Sequence, residues 1–332
     1  MRLPIPPHSH EVAENYSPFN RQPDANPVPV NAKQVLGTYN QSDITLRNCA
    51  NSAAVPVDHY ENFPVASILL PRPVRRPIES IYAFARTADD VADEGDFSDD
   101  VRLARLSNYQ AELDAIDAGG ASNDPLFVEL ALNVRTHKLS VPLLRDLLDA
   151  FKQDVIKVRY ANYDELLNYC QRSANPIGRL LLHLFAVGDD RSHKMSDQIC
   201  TALQLINHWQ DVAIDWQKNG SGRVYLPQDE MQQFGISDDD IARGVATPAW
   251  RALMSFQVGR TRHLLLQGAP LAASMPGRFG LELRLIVAGG MTILDKIDAA
   301  KGDIFGQRPT VGRLDWLWIF CKVATATLMK RK

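Results

Sequence analysis

From Val57 onward, apolar residues return every three or four positions, the spacing that lays one stripe along a helix. This rhythm predicts helices over 77–92, 99–118, 125–137, 142–157, 163–170, 177–185, 196–217, 237–243, 249–267, 281–300 and 313–330. Several open at Pro, Ser or Asp, which suit a helix start because they lack or satisfy a free N–H group there. No segment alternates apolar and polar residues between hairpin turns, and no repeat or interior linker breaks the series. The expected architecture is a single all-α domain over residues 51–332. Residues 1–50 follow another pattern: Pro4, Pro6, Pro7, Pro18, Pro23, Pro27 and Pro29 sit among Asn, Ser and Gln. Such a segment buries too little surface to offset its ordering entropy, so a disordered tail is expected there.

Two of the helices carry acids on otherwise apolar surfaces. The 77–92 helix has Ile78, Ile81, Tyr82, Phe84, Ala85, Ala88, Val91 and Ala92, yet Arg86, Asp89, Asp90, Asp93 and Glu94 crowd its end. Asp89 and Asp93, four apart, share a face and repel. In the 196–217 helix, Leu203, Leu205, Ile206, Trp209, Val212, Ala213, Ile214 and Trp216 surround one polar stripe. That stripe runs from Gln204 through Asn207 or His208 to Asp211 and Asp215. A helix apolar on most sides is buried, and unpaired buried carboxylates are too unfavourable to persist. The stripe is therefore expected to line an internal cavity. A divalent cation relieves both pairs. Magnesium takes carboxylate oxygens, keeps several waters and shares its other positions with substrate phosphates. Two facing pairs would hold a small Mg²⁺ cluster on a diphosphate and offset charge as that group departs. The plainer alternative is that each pair is a solvated helix face. The acids Asp96, Asp99, Asp100, Asp238, Asp239 and Asp240 lack apolar helix context and read as loop and helix-start charge.

Composition narrows the partners. The 332 residues, 45% apolar, suffice for one large core or two. A net charge of −3 offers no basic field for nucleic acid, so an anionic substrate needs local arginines or a metal. Cys49, Cys170, Cys200 and Cys321 form no CxxC pair, which points to reduced cytosolic thiols. No run reaches the roughly 18 apolar residues of a membrane span, and no secretory signal opens the chain. A cytoplasmic protein is expected, at most peripheral on the inner membrane face. There is no GxGxxG fingerprint, and NADPH is not expected. A di-iron bundle is disfavoured because no Glu-x-x-His pair occurs.

At these residues the sequence resembles the squalene/phytoene synthase family. HYENFPVASILLP and IYAFARTADDVADE are similar to its opening segment and first aspartate motif. FKQDVIKVRYANYDELLNYCQRSANPIGRLLL resembles its central segment, and QLINHWQDVAIDWQKNGSGRVYLP its second motif with the following GRxYLP. Together they span most of Asp58 to Pro227. HYENFPVAS, SANPIG and PGRFGLELRLIVAGGMTILDKI are further similar to a hopanoid-pathway subgroup. The resemblance implies an isoprenoid-synthase helical bundle with a central cavity. For the subgroup it implies conversion of presqualene diphosphate to hydroxysqualene, or a squalene synthase activity, alongside companion hopanoid-pathway enzymes. The wider family implies head-to-head condensation of two farnesyl diphosphates to presqualene diphosphate, squalene or a carotenoid precursor. A non-catalytic assembly factor on this fold would be expected to lose motif aspartates, and both pairs are present.

Resemblance and spacing together assign Asp89, Asp90 and Asp93 to a first metal site, and Asp211, Asp215 and Asn207 to a second. Glu94 either joins the first site or only shapes the helix end. Gln204 and Asn207 hold waters or diphosphate oxygens, or pack as buried amides. Arg86 either forks onto diphosphate or pairs with Asp89 and Asp90. Arg159 and Tyr160 match the family's RY pair; Tyr160 steadies a cation or simply packs. Lys218, Arg223 and Tyr225 are expected at the diphosphate, with Asn62 and Phe63 near the same end. His183 and His193 show no metal-ligand spacing. Leu314, Trp316, Leu317, Trp318, Ile319 and Phe320, followed by Lys330, Arg331 and Lys332, suit either a membrane interface or an ordinary packed last helix.

Overall fold

A computed structural model of the chain describes residues 70–218, 222–275 and 277–329. The expected tail over 1–50, and Asn62 and Phe63, lie outside the described residues. The helices are α1 (Arg72–Asp93), α2 (Asp99–Asp117), α3 (Pro125–His137), α4 (Val141–Ile156), α5 (Tyr163–Ser173), α6 (Asn175–Leu184) and α7 (Asp190–Gln217). They continue as α8 (Gln228–Gln233), α9 (Asp238–Arg243), α10 (Pro248–Gly268), α11 (Leu271–Ser274), α12 (Gly277–Ala299) and α13 (Arg313–Met329). No strand occurs among the described residues, so the fold is all-α.

The helix starts are chemically marked. Asp124, Asn162, Asp189 and Thr247 each accept a first-turn backbone N–H, in α3, α5, α7 and α10. Ser237 and Asp240 form a reciprocal box at α9. Every periodic segment becomes a helix; 125–137 is matched end for end by α3, and the others have at least one displaced end. α1 starts at Arg72 because Pro73 occupies its first turn; Pro77 lies inside it and forgoes only one ladder bond. α7 starts six residues before Ser196, at the Asp189 cap. The short α8 and α11 are too brief to show a period.

Two apolar clusters fill the bundle. Phe84, Leu106, Phe127, Leu144 and Leu148 join α1 through α4. Tyr169, Trp209, Trp250, Val258 and Ile293 join α5, α7, α10 and α12. α1, α4 and α6 serve both: Ile78, Ala150 and Leu182 face one cluster, Ile81, Leu147 and Leu180 the other. These three helices form the seam of the molecule. The end of α1 is held by Arg102, which is 4% exposed and donates to the carbonyls of Val91, Ala92, Glu94, Gly95 and Phe97. Its charge satisfies carbonyls that a helix end leaves without partners. α13 rests on α12 through Leu285, Ile319 and Val323.

Close packing around α7 depends on missing side chains. A Cβ on Gly178 of α6 would lie 2.3 Å from the Ser196 hydroxyl, which can rotate away. A Cβ on Gly268 of α10 would lie 2.6 Å from the Met195 carbonyl oxygen, which cannot. Gly268→Ala is therefore expected to cost about 1–3 kcal/mol and lower Tm by several degrees. Gly259→Ala, on the same helix with open space around it, is expected to gain up to about 1 kcal/mol from helix propensity. Thermal unfolding followed by circular dichroism compares the two. A Gly268→Ala melting point at or above that of the parent would refute the close approach.

Candidate active site

The two acidic motifs come together at the seam through two basic residues. Lys218, at the end of α7, places Nζ 2.6 Å from Asp93 on α1. Arg223, in the segment that follows, places Nη1 3.0 Å from the other Asp93 oxygen. Its Nη2 donates to the backbone carbonyl of Asp154 on α4. The chain that leaves the second motif thus reaches back to the first. Asp215 lies in the fields of Asp211, Lys218, Arg223 and Asp93 together, so both pairs share one electrostatic neighbourhood.

Crowding sets the protonation of these acids. Burial, and then Asp93, push Asp89 up to about 7, against the pull of Arg86. Burial, and then Asp211, likewise push Asp215 up to about 7. Burial acts upward on Asp93 too, but Arg223 and Lys218 prevail and hold it below the ordinary carboxylate range. Asp89 nonetheless keeps 38% of its side-chain surface open, enough for a ligand to reach it. Arg86 pairs with Asp89 at 3.3 Å, Asp90 at 2.6 Å and Glu94 at 3.0 Å. Of its two expected roles, the structure displays the ion-paired one. Arg308 grips Asp211 through Nε and Nη2, and Gln210 donates to the carbonyl of the adjoining Pro309.

Beneath the carboxylates lies a buried aromatic layer. Asp154, 5% exposed, accepts the Tyr169 hydroxyl at 2.7 Å and the Tyr225 hydroxyl at 3.0 Å. The His208 ring stacks on Tyr225 at 3.7 Å and 14°. Tyr160, wholly buried, stacks with Tyr225 at 5.5 Å and accepts from Gln153. Burial raises Asp154 to about 7, opposed by Arg223 and the Tyr169 hydroxyl. Burial lowers His208 to about 3, so its ring is neutral. Burial also raises Tyr169 and Tyr225, which keep their protons.

Most of the residues singled out in the sequence are thereby brought together. Asp89, Asp93, Asp215, Lys218 and Arg223 converge, with Asp211 beside Asp215 and Tyr160 and Tyr225 beneath, while Asp90 pairs with Arg86. Gln204, Asn207, Asp211 and Asp215 occupy the half-buried positions of α7, while His208 turns into the core; the stripe therefore passes through Asn207. Arg159 goes elsewhere. Its guanidinium binds the Val158 and Gly222 carbonyls and Asp238, bracing the loop that carries Arg223. Asp154, Tyr169 and Arg308 escape sequence reasoning, while His208, one of the two stripe alternatives, stacks in the buried layer. Asp154 left one trace: a lone acid three residues after Phe151 and seven after Leu147, on the buried side of α4. Arg308 sits in a loop with no period to mark it.

Among the described residues no three His, Cys, Asp or Glu side chains form a ready-made metal cage. The acids face basic partners instead. Their chemistry still suits a divalent ion: crowded carboxylates holding protons near neutrality gain from added positive charge, and Mg²⁺ needs only one or two carboxylates when phosphate oxygens complete its shell. A separate groove of about 620 Å³, walled by Asp146, Tyr163, Arg172, Arg179, Asp197 and Leu264 among others, includes none of the motif acids.

The sequence model of the squalene/phytoene synthase family matches residues 57–315. A hydroxysqualene synthase of Zymomonas mobilis is 36% identical over 75% of this chain and 84% of its own. A second, from Rhodopseudomonas palustris, is 36% identical over 69% of this chain and 76% of its own. The crystal structure of squalene synthase HpnC from Alicyclobacillus acidocaldarius is 37% identical, with a TM-score of 0.67 over 73% of this chain and 90% of that one. The chain belongs to the squalene/phytoene synthase family and is an isoprenoid synthase built on the all-α bundle.

Proposed function

We propose that this enzyme ionises presqualene diphosphate with the help of Mg²⁺ and converts it to hydroxysqualene. The observation that supports this most is the convergence of Asp89, Asp93 and Asp215 on Lys218 and Arg223, directly above a buried layer of protonated tyrosines. The product is suggested by the two hydroxysqualene synthases among the relatives. Asp89, Asp90 and Asp93 would hold metal on one side and Asn207, Asp211 and Asp215 on the other, where Mg²⁺ supplies positive charge to the leaving diphosphate. Lys218 and Arg223 are placed to donate to diphosphate oxygens once these compete with Asp93. The C–O bond breaks with both electrons on diphosphate, leaving a cyclopropylcarbinyl cation. Tyr160, Tyr169 and Tyr225, stacked with His208, form an electron-rich layer that would favour nearby positive charge, and their burial keeps bulk water out. One water then adds to the rearranged cation; its oxygen becomes the hydroxyl, and its proton passes to the released diphosphate.

A second reading uses the same residues to join two farnesyl diphosphates head to head. The relative described as a squalene synthase favours it. Incubation of purified protein with each diphosphate and Mg²⁺, followed by mass spectrometry, separates the two. Hydroxysqualene is expected from presqualene diphosphate, with loss of product in EDTA. Asp93→Asn and Asp211→Asn are each expected to lower turnover by at least about 100-fold, the scale of losing one electrostatic contact to the departing charge. Conversion of farnesyl diphosphate but not of presqualene diphosphate would transfer the assignment to the second reading. Product formation that persists in EDTA would refute metal dependence.

The raised carboxylates also set a pH signature. A carboxylate whose folded pKa exceeds its unfolded value of 3.8 binds more protons in the folded chain. Its contribution favours the fold at low pH and is lost as pH climbs through about 7. The metal-free protein is therefore expected to melt lower at pH 8 than at pH 6. Mg²⁺ binds the ionised form, so it should raise Tm more at pH 8. Asp89→Asn with Asp215→Asn should flatten the Mg²⁺ difference and shrink the metal-free one, leaving the part due to Asp154, which is also raised to about 7. A Mg²⁺ response of equal size at the two pH values would contradict the assignment of these acids to metal.

A further inference from the structure

We propose that α13 docks this enzyme flat on an anionic lipid bilayer. One side of α13 is accounted for: Ile319 and Val323 are buried against α12, and Trp316 packs beside them. Asp315 is drawn to that same side by Lys296 at 2.5 Å. The opposite side carries Leu314, Leu317 and Trp318, 82%, 64% and 60% exposed, followed by Cys321, Ala324 and Thr325, also exposed. At 100° per residue these six positions form one outward stripe with no charge in it. Phe320, 47% exposed, widens it on one flank.

A helix apolar on both faces is ordinarily buried on both. Two features make a lipid surface, rather than a second copy, the occupant. Basic residues flank the stripe: Arg313 on one side and Lys322 on the other, with Lys322 Nζ 4.7 Å over the Trp318 ring. Lys330, Arg331 and Lys332 follow in the sequence. Anionic head groups attract that arrangement, whereas a second α13 would oppose base to base. A tryptophan beside a cation, on a helix with an apolar outward face, is also the chemistry of the head-group boundary. No described helix is long and apolar enough to cross a membrane, so α13 would lie in the interface plane.

The position of α13 links docking to the site. Its first residue is five beyond Arg308, which grips Asp211. Gln210 holds the Pro309 carbonyl, and Lys296 holds both the Thr310 carbonyl and Asp315. A bilayer under α13 therefore lies a short, braced segment away from the second acidic motif. Docking does not depend on the reaction proposed above, although an oily product gives it a use.

The test is flotation of the full chain with vesicles of equal parts phosphatidylcholine and phosphatidylglycerol, and with phosphatidylcholine alone. The protein is expected to float with the anionic vesicles at low salt, and Trp318 fluorescence should shift to the blue. Leu317→Glu with Trp318→Glu should weaken flotation by about tenfold or more. Both positions are exposed, so the variant should keep its circular dichroism melt and its turnover of presqualene diphosphate in detergent. Absence of flotation by the parent, or equal flotation by the variant, overturns the proposal. So does a parent that runs as a dimer and a variant that runs as a monomer, neither binding vesicles. Loss of turnover in the parent would bear on the reaction and leave the flotation result standing.

Discussion

Arg223 is the contact on which the rest of the site depends. It is almost completely buried, and it binds Asp93 of α1 and the main chain of α4 at once. Removing one partner of such a pair typically costs about 3–5 kcal/mol, because a charge is then left buried alone. The pair does more than join two helices. Four or more carboxylates cannot be gathered at a seam unless something of opposite sign sits among them. In the protein itself that role falls to Arg86, Lys218, Arg223 and Arg308. Each holds its acid in an orientation that a cation and an anionic ligand can exploit. Under the proposed function, the basic side chains would already stand where phosphate oxygens arrive.

The layer beneath has the opposite character. Asp154 faces it, and two tyrosine hydroxyls close on its oxygens. Tyr160, Tyr169, Tyr225 and His208 all remain neutral there, by burial. A charged upper rim and an uncharged aromatic floor would suit the proposed separation of a diphosphate anion from a carbocation, since each product would meet surroundings that favour it. The division follows from the two core clusters: the rim sits where α1 and α7 approach across the seam, and the floor where α4 and α5 are packed by Trp209 and its neighbours.

The second motif is also tied outward. Arg308 and Pro309 engage Asp211 and Gln210, and the same segment leads into α13. Only a few residues separate the start of α13 from Arg308, the partner of Asp211. The first motif is anchored differently, by Arg102 closing the end of α1 over five carbonyls. One acidic helix is therefore fixed by its own neighbour in sequence, the other by a segment almost a hundred residues away.

That contrast separates what the sequence determined from what the tertiary structure decided. Periodicity alone marked every long helix, because burial of one face every 3.6 residues leaves a record in the order of residue types. Charge in an apolar setting marked Asp89, Asp93, Asp211 and Asp215, because such residues are rare without a partner. Lys218, Arg223 and Tyr225 came from resemblance rather than from any period. The helix start at Arg72 was decided by Pro73 in the first turn and that at Asp190 by the Asp189 cap, signals that compete with equally good ones nearby. The pairing of Asp154 with Tyr169 and Tyr225, the choice of Asn207 over His208 for the open side of α7, and the reach of Arg308 to Asp211 all depend on segments distant in the chain. A side chain's own neighbours in sequence fix which way it faces on its helix. Only the packing of one helix against another fixes what it meets there.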